Sequence, residues 1–431
     1  MYLSSQMDTT RYSLVREETL NQMNQPQKKY FTRFNEPIAF ILGIYPTSNL
    51  GAVRNLGRHG VPTVVLDIKK SQAAFFSKYA KGFLCPHPKY DEETYIDFLL
   101  HIGAQLPEKG VLIPTGDTET LTLLRHQSQL ESYYHFTMAS YEKVDLFINK
   151  QLFYQYLEKQ DIPHPKTFFP HDENDVKAAS AELSYPCIVK PIYPTYFRFD
   201  FHTKLFIASS PQQLLSLYRK AREKNHEMML QEVIPGEADT MFGYNAYYDH
   251  RGAPHGMFMY QRIREWPLGF GNGCYIQHVQ EPILEQITTS LMRKIDYYGI
   301  VDAEFKRDPR DGLFKFIEVN PRVWMQNSFP SRYGCNLPYM AYLDAIGKPL
   351  PENPMSVQHH TVKWVYFLED IQSVRSQIRN RSIQLRTILP AYSLRNEHAV
   401  FAWDDPLPFF ILGCGSISKL FSTLLRPTEF R

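Results

Sequence analysis

Two short stretches of the sequence place acidic and amide side chains at a spacing that suits a divalent cation. VDAEFK contains Glu304, and FIEVNPR, shortly after it, contains Glu318 and Asn320. The turn-type residues DPRDG at 308–312 lie between them and predict an antiparallel hairpin. Because residues two apart on a strand share a face, Glu318 and Asn320 project together, and Glu304 can lie opposite them. Two carboxylates and an amide oxygen are hard ligands that suit Mg²⁺, or Mn²⁺ in its place.

The same residues also fit a simpler interpretation. A solvated hairpin whose glutamates pair with surface lysines has this pattern, and Asn-Pro after an apolar strand is a common turn signal. The hairpin alone therefore leaves both a metal site and a surface hairpin open.

Two lysines upstream of the hairpin favour the metal site. Lys190 follows the apolar run Cys-Ile-Val and precedes a proline, so its stem should be partly buried and its charge should need a partner. Lys150 stands in a predicted helix that begins near Tyr141. A lone lysine is usually a solvated surface group, but two lysines from different elements can clamp a triphosphate as point charges.

Three arginines lie close in sequence to the predicted hairpin. Arg262 and Arg264 precede the glycine-rich stretch WPLGFGNG at 266–273, and Arg322 is two residues beyond Asn320. A flexible glycine-rich loop beside arginines suits a carboxylate or an acyl phosphate, because a guanidinium offers a bidentate fork. Any single arginine is more often a surface residue, so it is the group of three that predicts a catalytic role.

Strand and helix signals describe an N-terminal region and a central region. In the first, apolar runs at 38–44, 64–67 and 111–114 predict buried strands of a parallel α/β sheet. The loop after the first run lacks GxGxxG, although Asp67 stands where a ribose-binding acid would, so a nicotinamide or flavin site is disfavoured. In the central region, strands are predicted at 187–191, 228–234, 241–248, 257–262, 301–306 and 314–319, with a helix at 211–224.

Composition predicts a globular protein of more than one domain. The chain has 431 residues, of which 43% are hydrophobic and 21% charged, and a formal net charge of +2. This near balance offers no bulk field for nucleic acid or an anionic membrane. Five cysteines without a CxxC pair argue against a zinc site and against a secreted disulfide framework, so the cytoplasm is the expected compartment. Neither the polar N-terminus nor the interrupted apolar stretch at 408–425 predicts an integral membrane segment.

In their order along the chain, the lysines and the acidic hairpin resemble the ATP-grasp superfamily. Within it, they resemble the carboxylate–amine ligases related to D-aspartate ligase and the carbamoyl phosphate synthase-like proteins. The resemblance covers about residues 36–347, and its Glu, then Glu-x-Asn-x-Arg pattern is specific when it follows the rest in order. The metal ligands and phosphate-contacting lysines that it implies are Glu304, Glu318, Asn320, Lys150 and Lys190.

The same resemblance implies a hinge between two lobes at QEVIPGE, residues 231–237. Backbone groups in its first half would read the adenine edge, and an acid after it would accept hydrogen bonds from the ribose. An ordinary strand end with exposed acids is the alternative. The nucleotide-binding residues that the resemblance implies here are Gln231, Glu232, Val233, Ile234, Glu237 and Asp239.

The segment after Lys190 departs from the family pattern. Many members have a glycine-rich loop there that covers the phosphates, whereas residues 191–203 read PIYPTYFRFDFHT, with no glycine and five aromatic residues. Backbone amides in such a segment approach a phosphate less freely. Lys204 and Arg198 are therefore candidates for the missing contacts, unless the segment closes differently.

These observations predict an α/β protein with an α+β ATP-grasp core. A Rossmann-like parallel α/β unit precedes a two-lobed ATP-grasp domain, and a small segment ends the chain. The expected bounds are a flexible arm at 1–35, the α/β unit at 36–140, the ATP-grasp domain at 141–347 and the C-terminal segment at 348–431.

The function that the resemblance implies is ligation dependent on ATP and Mg²⁺. A small-molecule carboxylate would be activated as an acyl phosphate and coupled to an amine, such as an amino acid or a small amine. No nucleic-acid partner is expected, and a homodimer would be a common assembly. A small-molecule kinase and a non-catalytic nucleotide-binding regulator are the alternatives, although retention of all three metal-site residues counts against the regulator.

Overall fold

The computed structural model describes residues 28–193, 197, 200–351, 362–381, 383 and 385–412. The described residues form two compact units: residues 138–321 make up one, and the residues before and after that range make up the other. Most of the predicted N-terminal arm, the end of the chain and Arg198 lie outside the described residues. No helix within the described part is long and apolar enough to cross a membrane.

The chain begins with a five-stranded parallel sheet in the order β3-β2-β1-β4-β5. Its strands are β1 Ala39–Leu42, β2 Thr63–Asp67, β3 Ala80–Leu84, β4 Gly110–Pro114 and β5 Tyr134–Phe136. Every residue of β1, β2 and β4 is buried, which is why these strands are continuous apolar runs in the sequence. The predicted parallel α/β unit is confirmed.

Helices connect these strands. They are α1 Lys28–Phe31, α2 Pro46–Gly57, α3 Glu92–Gly103, α4 Asp117–Arg125 and α5 Gln127–Leu130, with a 3-10 turn at Ala73–Phe76. Local sequence explains two of the starts: α2 has proline at its first position, and the Asp91 side chain accepts a hydrogen bond from the Thr94 amide at the start of α3. The strand order changes direction between β1 and β4, so the loops that follow these two strands border the crevice where doubly wound sheets bind ligands.

The central unit contains a four-stranded antiparallel sheet in the order β6-β9-β7-β8. Its strands are β6 Thr167–Phe168, β7 Cys187–Pro191, β8 Phe206–Ala208 and β9 Met228–Glu232, and the helices beside them are α6 Tyr141–Ile148, α7 Lys150–Lys159, α8 Glu173–Glu182 and α9 Pro211–Arg222. Helices α8 and α9 pack on this sheet through a buried apolar cluster that includes Val176, Val189 and Leu214.

One predicted helix of this unit is two helices. The sequence predicted a continuous helix through Asn149 and Lys150, but α6 ends at Ile148 and α7 begins at Lys150. Asn149 has extended backbone angles, and its side chain accepts hydrogen bonds from the Gln151 and Leu152 amides. Asparagine favours such an N-cap over a helix interior, so the break places Lys150 at the first turn of α7.

The rest of the central unit is a second antiparallel sheet, in which the strands run β14-β13-β10-β11-β12. These strands are β10 Met241–Tyr248, β11 Pro254–Trp266, β12 Asn272–His278, β13 Gly299–Arg307 and β14 Phe314–Asn320, with helix α10 at Pro282–Lys294 and a 3-10 turn at Ala238–Thr240. Two antiparallel sheets in one unit agree with the predicted two-lobed core.

Residues from 322 onward belong to the same compact unit as the parallel sheet. Their elements are α11 Ser328–Ser331, α12 Leu337–Ala345, β15 Lys363–Val365, α13 Phe367–Arg379 and β16 Glu397–His398, with 3-10 turns at Leu385–Thr387 and Leu389–Tyr392. Strands β15 and β16 pair in parallel. Buried side chains join this part to α2: Arg54 donates to Asp405 at 3.0 Å, and Asn55 donates to Asn327 at 3.1 Å.

Candidate functional site

Strands β13 and β14 bring the predicted metal-binding side chains together. Their antiparallel register pairs Glu304 with Glu318 and Asp302 with Asn320. All four positions therefore share one face of the hairpin, with the two glutamates directly opposite each other. The sequence predicted that Glu304 can lie opposite these residues, and a register shift between Glu304 and Phe305 is what sets it opposite Glu318.

Glu318 is held in its charged form by a lysine from α7. Lys150 Nζ donates to Glu318 Oε2 at 3.1 Å, and the Lys150 side chain is only 14% exposed. The positive charge of Lys150, supported by that of Lys190, holds the pKa of Glu318 well below its usual range. The Asn149 cap is the local reason that Lys150 starts a helix at this position.

Lys190 is the second cation near Glu318. It lies on β7, and its Nζ is 5.5 Å from the ring centroid of Tyr154. Burial, together with the neighbouring charge of Lys150, lowers the pKa of Lys190 to about 7, and Glu318 opposes both effects. A buried lysine with this pKa binds an anion readily, because the anion restores the charged form.

Glu304 is paired with an arginine of the same sheet. Arg262 Nη2 donates to Glu304 Oε2 at 2.7 Å, and both side chains are largely buried. Burial raises the pKa of Glu304; Arg262 opposes this shift, and the nearby charge of Glu318 adds to it. A divalent cation between the two glutamates would relieve their repulsion, so the carboxylates fit a metal ion.

Asp302 is a buried acid of the same face that the sequence reasoning did not identify. It accepts hydrogen bonds from Asn320 Nδ2 at 2.9 Å and from Asn245 Nδ2 at 2.7 Å. Burial, together with the charge of Glu304, raises the pKa of Asp302 to about 7. Because the Asn320 amide nitrogen points to Asp302, its carbonyl oxygen points away from that acid. The signal available in the sequence was the position of Asp302, two residues before Glu304 on the same strand.

The donor set for a cation is therefore two carboxylates and one amide. Among the described residues, no group of three or more His, Cys, Asp or Glu side chains is arranged to hold a metal ion. Glu304, Glu318 and the Asn320 carbonyl oxygen could supply the protein ligands, which leaves coordination positions for phosphate oxygens and water. Such an incomplete protein shell is typical of nucleotide-bound Mg²⁺.

The glycine-rich stretch beside Arg262, predicted as a flexible loop, forms a short turn between two strands. Strands β11 and β12 extend to Trp266 and from Asn272, which leaves only 267–271 between them. Arg262 Nη1 donates to the Gly271 carbonyl at 3.0 Å, and the Gly269 amide donates to Glu265 at 2.7 Å. Arg262 thus bridges this turn and Glu304.

The other two predicted arginines have different surroundings. Arg264 is 2% exposed, and its guanidinium lies 4.5 Å from the ring centroid of Tyr275. Arg322 begins the part of the chain that belongs to the other compact unit, where its Nε donates to Asp117 Oδ1 at 2.5 Å. The catalytic roles of all three arginines remain predictions.

Lys204 lies beside the turn between β11 and β12. Its Nζ donates to Asn272 Oδ1 at 2.6 Å, and its charge acts on both Glu304 and Glu318. Together with Lys150 and Lys190 it surrounds the acidic hairpin with three lysines. Part of the glycine-free segment before it, including Arg198, lies outside the described residues.

The predicted hinge follows β9. Gln231 is buried and donates to Thr167 at 2.8 Å, while Glu232 accepts from the Lys166 amide at 2.9 Å and from Arg310 at 2.8 Å. These contacts fix the end of β9. After them, Val233 is half-buried and Ile234 buried, whereas Glu237 and Asp239 are exposed near the positive-φ Gly236. The exposed acids are accessible to a ligand, and their role remains a prediction.

Comparison with curated proteins finds ligases. No family profile matches the chain. The chain is 26% identical over 281 residues to D-aspartate ligase of Enterococcus faecium (strain Aus0004), which covers 62% of this chain and 67% of that protein. It is 23% identical over 209 residues to the carbamoyl phosphate synthase arginine-specific large chain of Geobacillus stearothermophilus, covering 48% of this chain. It spans only 19% of the length of that large chain.

Comparison with solved structures shows the same fold. The biotin carboxylase domain of Hydrogenobacter thermophilus 2-oxoglutarate carboxylase, solved with MgADP and bicarbonate, is similar with a TM-score of 0.58 at 13% identity, covering 73% of this chain and 71% of that chain. The L-amino acid ligase from Bacillus licheniformis has a TM-score of 0.55 at 15% identity, covering 73% of this chain and 75% of that chain. At these identities the similarity shows the fold alone.

Proposed function

We propose that the chain is an ATP-grasp carboxylate–amine ligase, which activates a carboxylate with Mg²⁺ and ATP and couples it to an amine. The observation that carries the proposal is the register of β13 and β14, which sets Glu304 opposite Glu318 with Lys150 and Lys190 beside them. The two carboxylates suit a metal ion, and the two lysines beside them suit the phosphates that the metal ion accompanies.

Glu304, Glu318 and Asn320 would hold the cation, and Lys150, Lys190 and Lys204 would contact the phosphates. When bound, Mg²⁺ supplies charge neutralisation on the transferred phosphoryl group. The lysines add fixed positive charge from three different elements, so they stabilise the same group without reorganising during the reaction. Lys204 would take the place of the backbone amides that a glycine-rich loop provides.

The nucleoside would lie against the end of β9. Backbone groups of Glu232, Val233 and Ile234 would read the adenine edge, and Glu237 or Asp239 would accept hydrogen bonds from the ribose. Contacts of Gln231 with Thr167 and of Glu232 with Arg310 keep this backbone fixed, which favours a preformed adenine site.

The reaction requires no nucleophilic side chain. A substrate carboxylate oxygen attacks the terminal phosphorus of ATP, ADP leaves, and an acyl phosphate forms. The amine then attacks the acyl carbon, phosphate leaves, and the nitrogen loses a proton to give the amide. Positioning and electrostatic stabilisation of these two steps are what the residues supply, with the arginine forks as candidates for the carboxylate and the acyl phosphate.

An amino acid is the substrate class that the relatives favour. One relative is a D-aspartate ligase and one structural neighbour is an L-amino acid ligase. We therefore place D-aspartate first among the candidate carboxylates, and amino acids and small amines among the acceptors.

The test is an ADP-release screen. The purified chain is incubated with ATP and Mg²⁺ and with pairs of amino acids and amines, and products are identified by mass spectrometry. The proposal expects ADP release that requires both substrates and gives an amide whose mass equals that of the two substrates less one water. A phosphorylated product formed without any amine would identify a kinase instead. Nucleotide binding without turnover across the screen would favour the regulatory alternative.

A further inference from the structure

A largely buried ion pair stands at the carboxyl end of the parallel sheet. Arg322 Nε donates to Asp117 Oδ1 at 2.5 Å, and their side chains are 13% and 24% exposed. Asp117 is the first residue of α4 and follows β4 after a two-residue link. The two partners lie 205 positions apart in sequence, so the pair joins two separate segments of the unit.

Two further contacts fix the backbone and the guanidinium of Arg322. The Val323 amide donates to the Pro114 carbonyl at 3.3 Å, which attaches the segment to the end of β4. Arg322 Nη1 donates to the Val323 carbonyl at 3.2 Å, and the guanidinium carbon lies 5.9 Å from the ring centroid of Tyr45. Because the guanidinium is planar, contacts at Nε and Nη1 set the plane of its whole donor fork.

Tyr45 and Asp117 follow the two strands between which the sheet changes direction. Tyr45 stands in the loop after β1, and Asp117 begins the helix after β4. Doubly wound sheets bind ligands in the crevice between these two loops. Arg322 comes from a distant part of the chain, and its contact with the Asp117 carboxylate helps to orient its donor fork.

We propose that Asp117 is a positioning residue that orients the guanidinium of Arg322 for contact with the substrate carboxylate. This inference rests on the proposed function, because the role of Arg322 comes from that reaction. An arginine side chain has many rotamers, and a carboxylate at Nε selects one of them in advance. Substitution of Asp117 leaves the Arg322 side chain itself unchanged but allows it to adopt unproductive orientations.

Exposed arginine pairs of the same unit provide the contrast. Arg58 and Asp404 pair at 2.9 Å, but their side chains are 33% and 39% exposed. This pair is more exposed than the pair of Arg322 and Asp117, and it lies outside the crevice loops of Tyr45 and Asp117. Asp404→Asn removes an arginine partner by the same chemical change as Asp117→Asn, so it is a matched control.

The first measurement is steady-state ADP release with the substrate pair found in the screen. Asp117→Asn should lower kcat by about tenfold or more through misorientation of Arg322 while leaving the KM for ATP within about twofold. Asp117→Glu, which keeps the carboxylate, should restore much of the lost rate. A rate for Asp117→Asn equal to that of Asp404→Asn would overturn the proposal.

A double variant separates positioning from a structural role. If Asp117 acts only through Arg322, adding Asp117→Asn to Arg322→Ala should cause no further loss in kcat/KM beyond about twofold. A purely structural role of Asp117 in α4 would instead make the two losses multiply, and that result would contradict the inference. Thermal unfolding of each variant accompanies the kinetics.

A labelling measurement keeps the test independent of turnover. Phenylglyoxal modifies accessible arginines, and the rate at Arg322 is read by mass spectrometry of its peptide. Asp117→Asn should accelerate modification of Arg322 about fivefold, because the paired carboxylate no longer holds it, whereas Asp404→Asn should leave that rate unchanged. If the wild-type chain releases no ADP with any substrate pair, the proposed function fails; an unchanged labelling rate overturns the positioning role itself.

Discussion

Two groups of buried acids in this protein differ in the partners that surround them. On the β13–β14 face, Lys150 keeps the pKa of Glu318 low, and Glu304 is paired with Arg262. In the parallel sheet, Asp67 accepts hydrogen bonds from the Gln72 side chain at 2.5 Å and the Lys69 amide at 2.9 Å.

Burial is the common factor, and the partners make the difference. Burial raises the pKa of Asp67 to about 7, against the hydrogen bonds from Gln72 and Lys69, and it raises the pKa of Glu119 to about 7. Acids whose pKa is raised in this way lose their charge more easily and attract a cation more weakly. A buried acid with cations arranged around it is the better sign of a site for metal and phosphate.

The largest effect that separates the two groups is expected for Glu318→Gln. Loss of one carboxylate from the opposed pair should reduce Mg²⁺-dependent ATP turnover by about 1000-fold or more, because the cation loses a charged ligand. The measurement is ADP release at saturating ATP. Glu173→Gln, which removes the exposed partner of Arg219 in the same unit, is the control and should leave turnover intact. Full turnover in a folded Glu318→Gln protein would refute the metal assignment.

The next effect concerns Arg262, the bridge between Glu304 and the β11–β12 turn. Arg262→Met removes the cation from two largely buried carboxylates, Glu265 and Glu304, and should lower the free energy of unfolding by about 3–5 kcal/mol. Urea denaturation measures this loss. Adding Glu304→Gln should recover part of it, since one unpaired charge is then removed; no recovery would mean that the arginine stabilises through packing alone.

A pH-dependent effect is expected for Asp67→Asn. The folded-state pKa of Asp67 is raised from 3.8 to about 7, so its contribution to stability is complete below the unfolded value and is lost as pH rises through about 7. Asparagine does not ionise, so the variant does not lose this stability as pH rises. The variant should therefore gain about 2–3 kcal/mol relative to wild type between pH 5 and pH 8, in proportion to the shift.

Chemical denaturation at several pH values tests the sign. Asp404→Asn is the opposite control, because Arg58 holds the pKa of Asp404 below its usual range. That carboxylate stabilises the fold above its unfolded pKa and loses its effect as pH falls. A flat difference between wild type and Asp67→Asn across this range would show that Asp67 is ionised in the folded protein.

The smallest of these effects is expected for Lys190→Met. Two other lysines remain near the acidic hairpin, so the apparent affinity for ATP should fall by about tenfold with a smaller change in kcat. Titration of ATP in the ADP-release assay gives both quantities, and Lys166→Met, at an exposed position that pairs with Glu182, is the control. Equal ATP affinity in the two variants would count against a phosphate role for Lys190.

Much of the fold could be predicted because it depends on short-range patterns. The fully buried strands β1, β2 and β4 are continuous apolar runs, and the β13–β14 hairpin is marked by alternation around DPRDG. The two-residue period of a strand predicts that Glu318 and Asn320 share a face, but the opposition of Glu304 and Glu318 also needs a register shift between Glu304 and Phe305, which the sequence pattern does not show. Lys190 could be singled out because an apolar run precedes it.

Other features depend on contacts that cannot be predicted from local sequence patterns. Asn149 breaks a helix through its own side chain, although the apolar pattern continues across it. The glycine-rich turn makes hydrogen bonds with Glu265 and Arg262, which composition alone cannot show. The pairing of Arg322 with Asp117 joins residues 205 positions apart, and it is visible only once the chain is folded.

The ion pair between Lys150 and Glu318 has a thermodynamic consequence for ligand binding. Each partner of this ion pair would also bind a ligand: the phosphates attract the lysine, and the cation attracts the carboxylate. If only the nucleotide binds, it draws Lys150 away and leaves the charge of Glu318 without a partner; if only the cation binds, Lys150 is left without one. When both bind, the ion pair is replaced by a lysine–phosphate pair and a carboxylate–cation pair. Nucleotide and metal should therefore bind with positive cooperativity, each strengthening the other by the same factor.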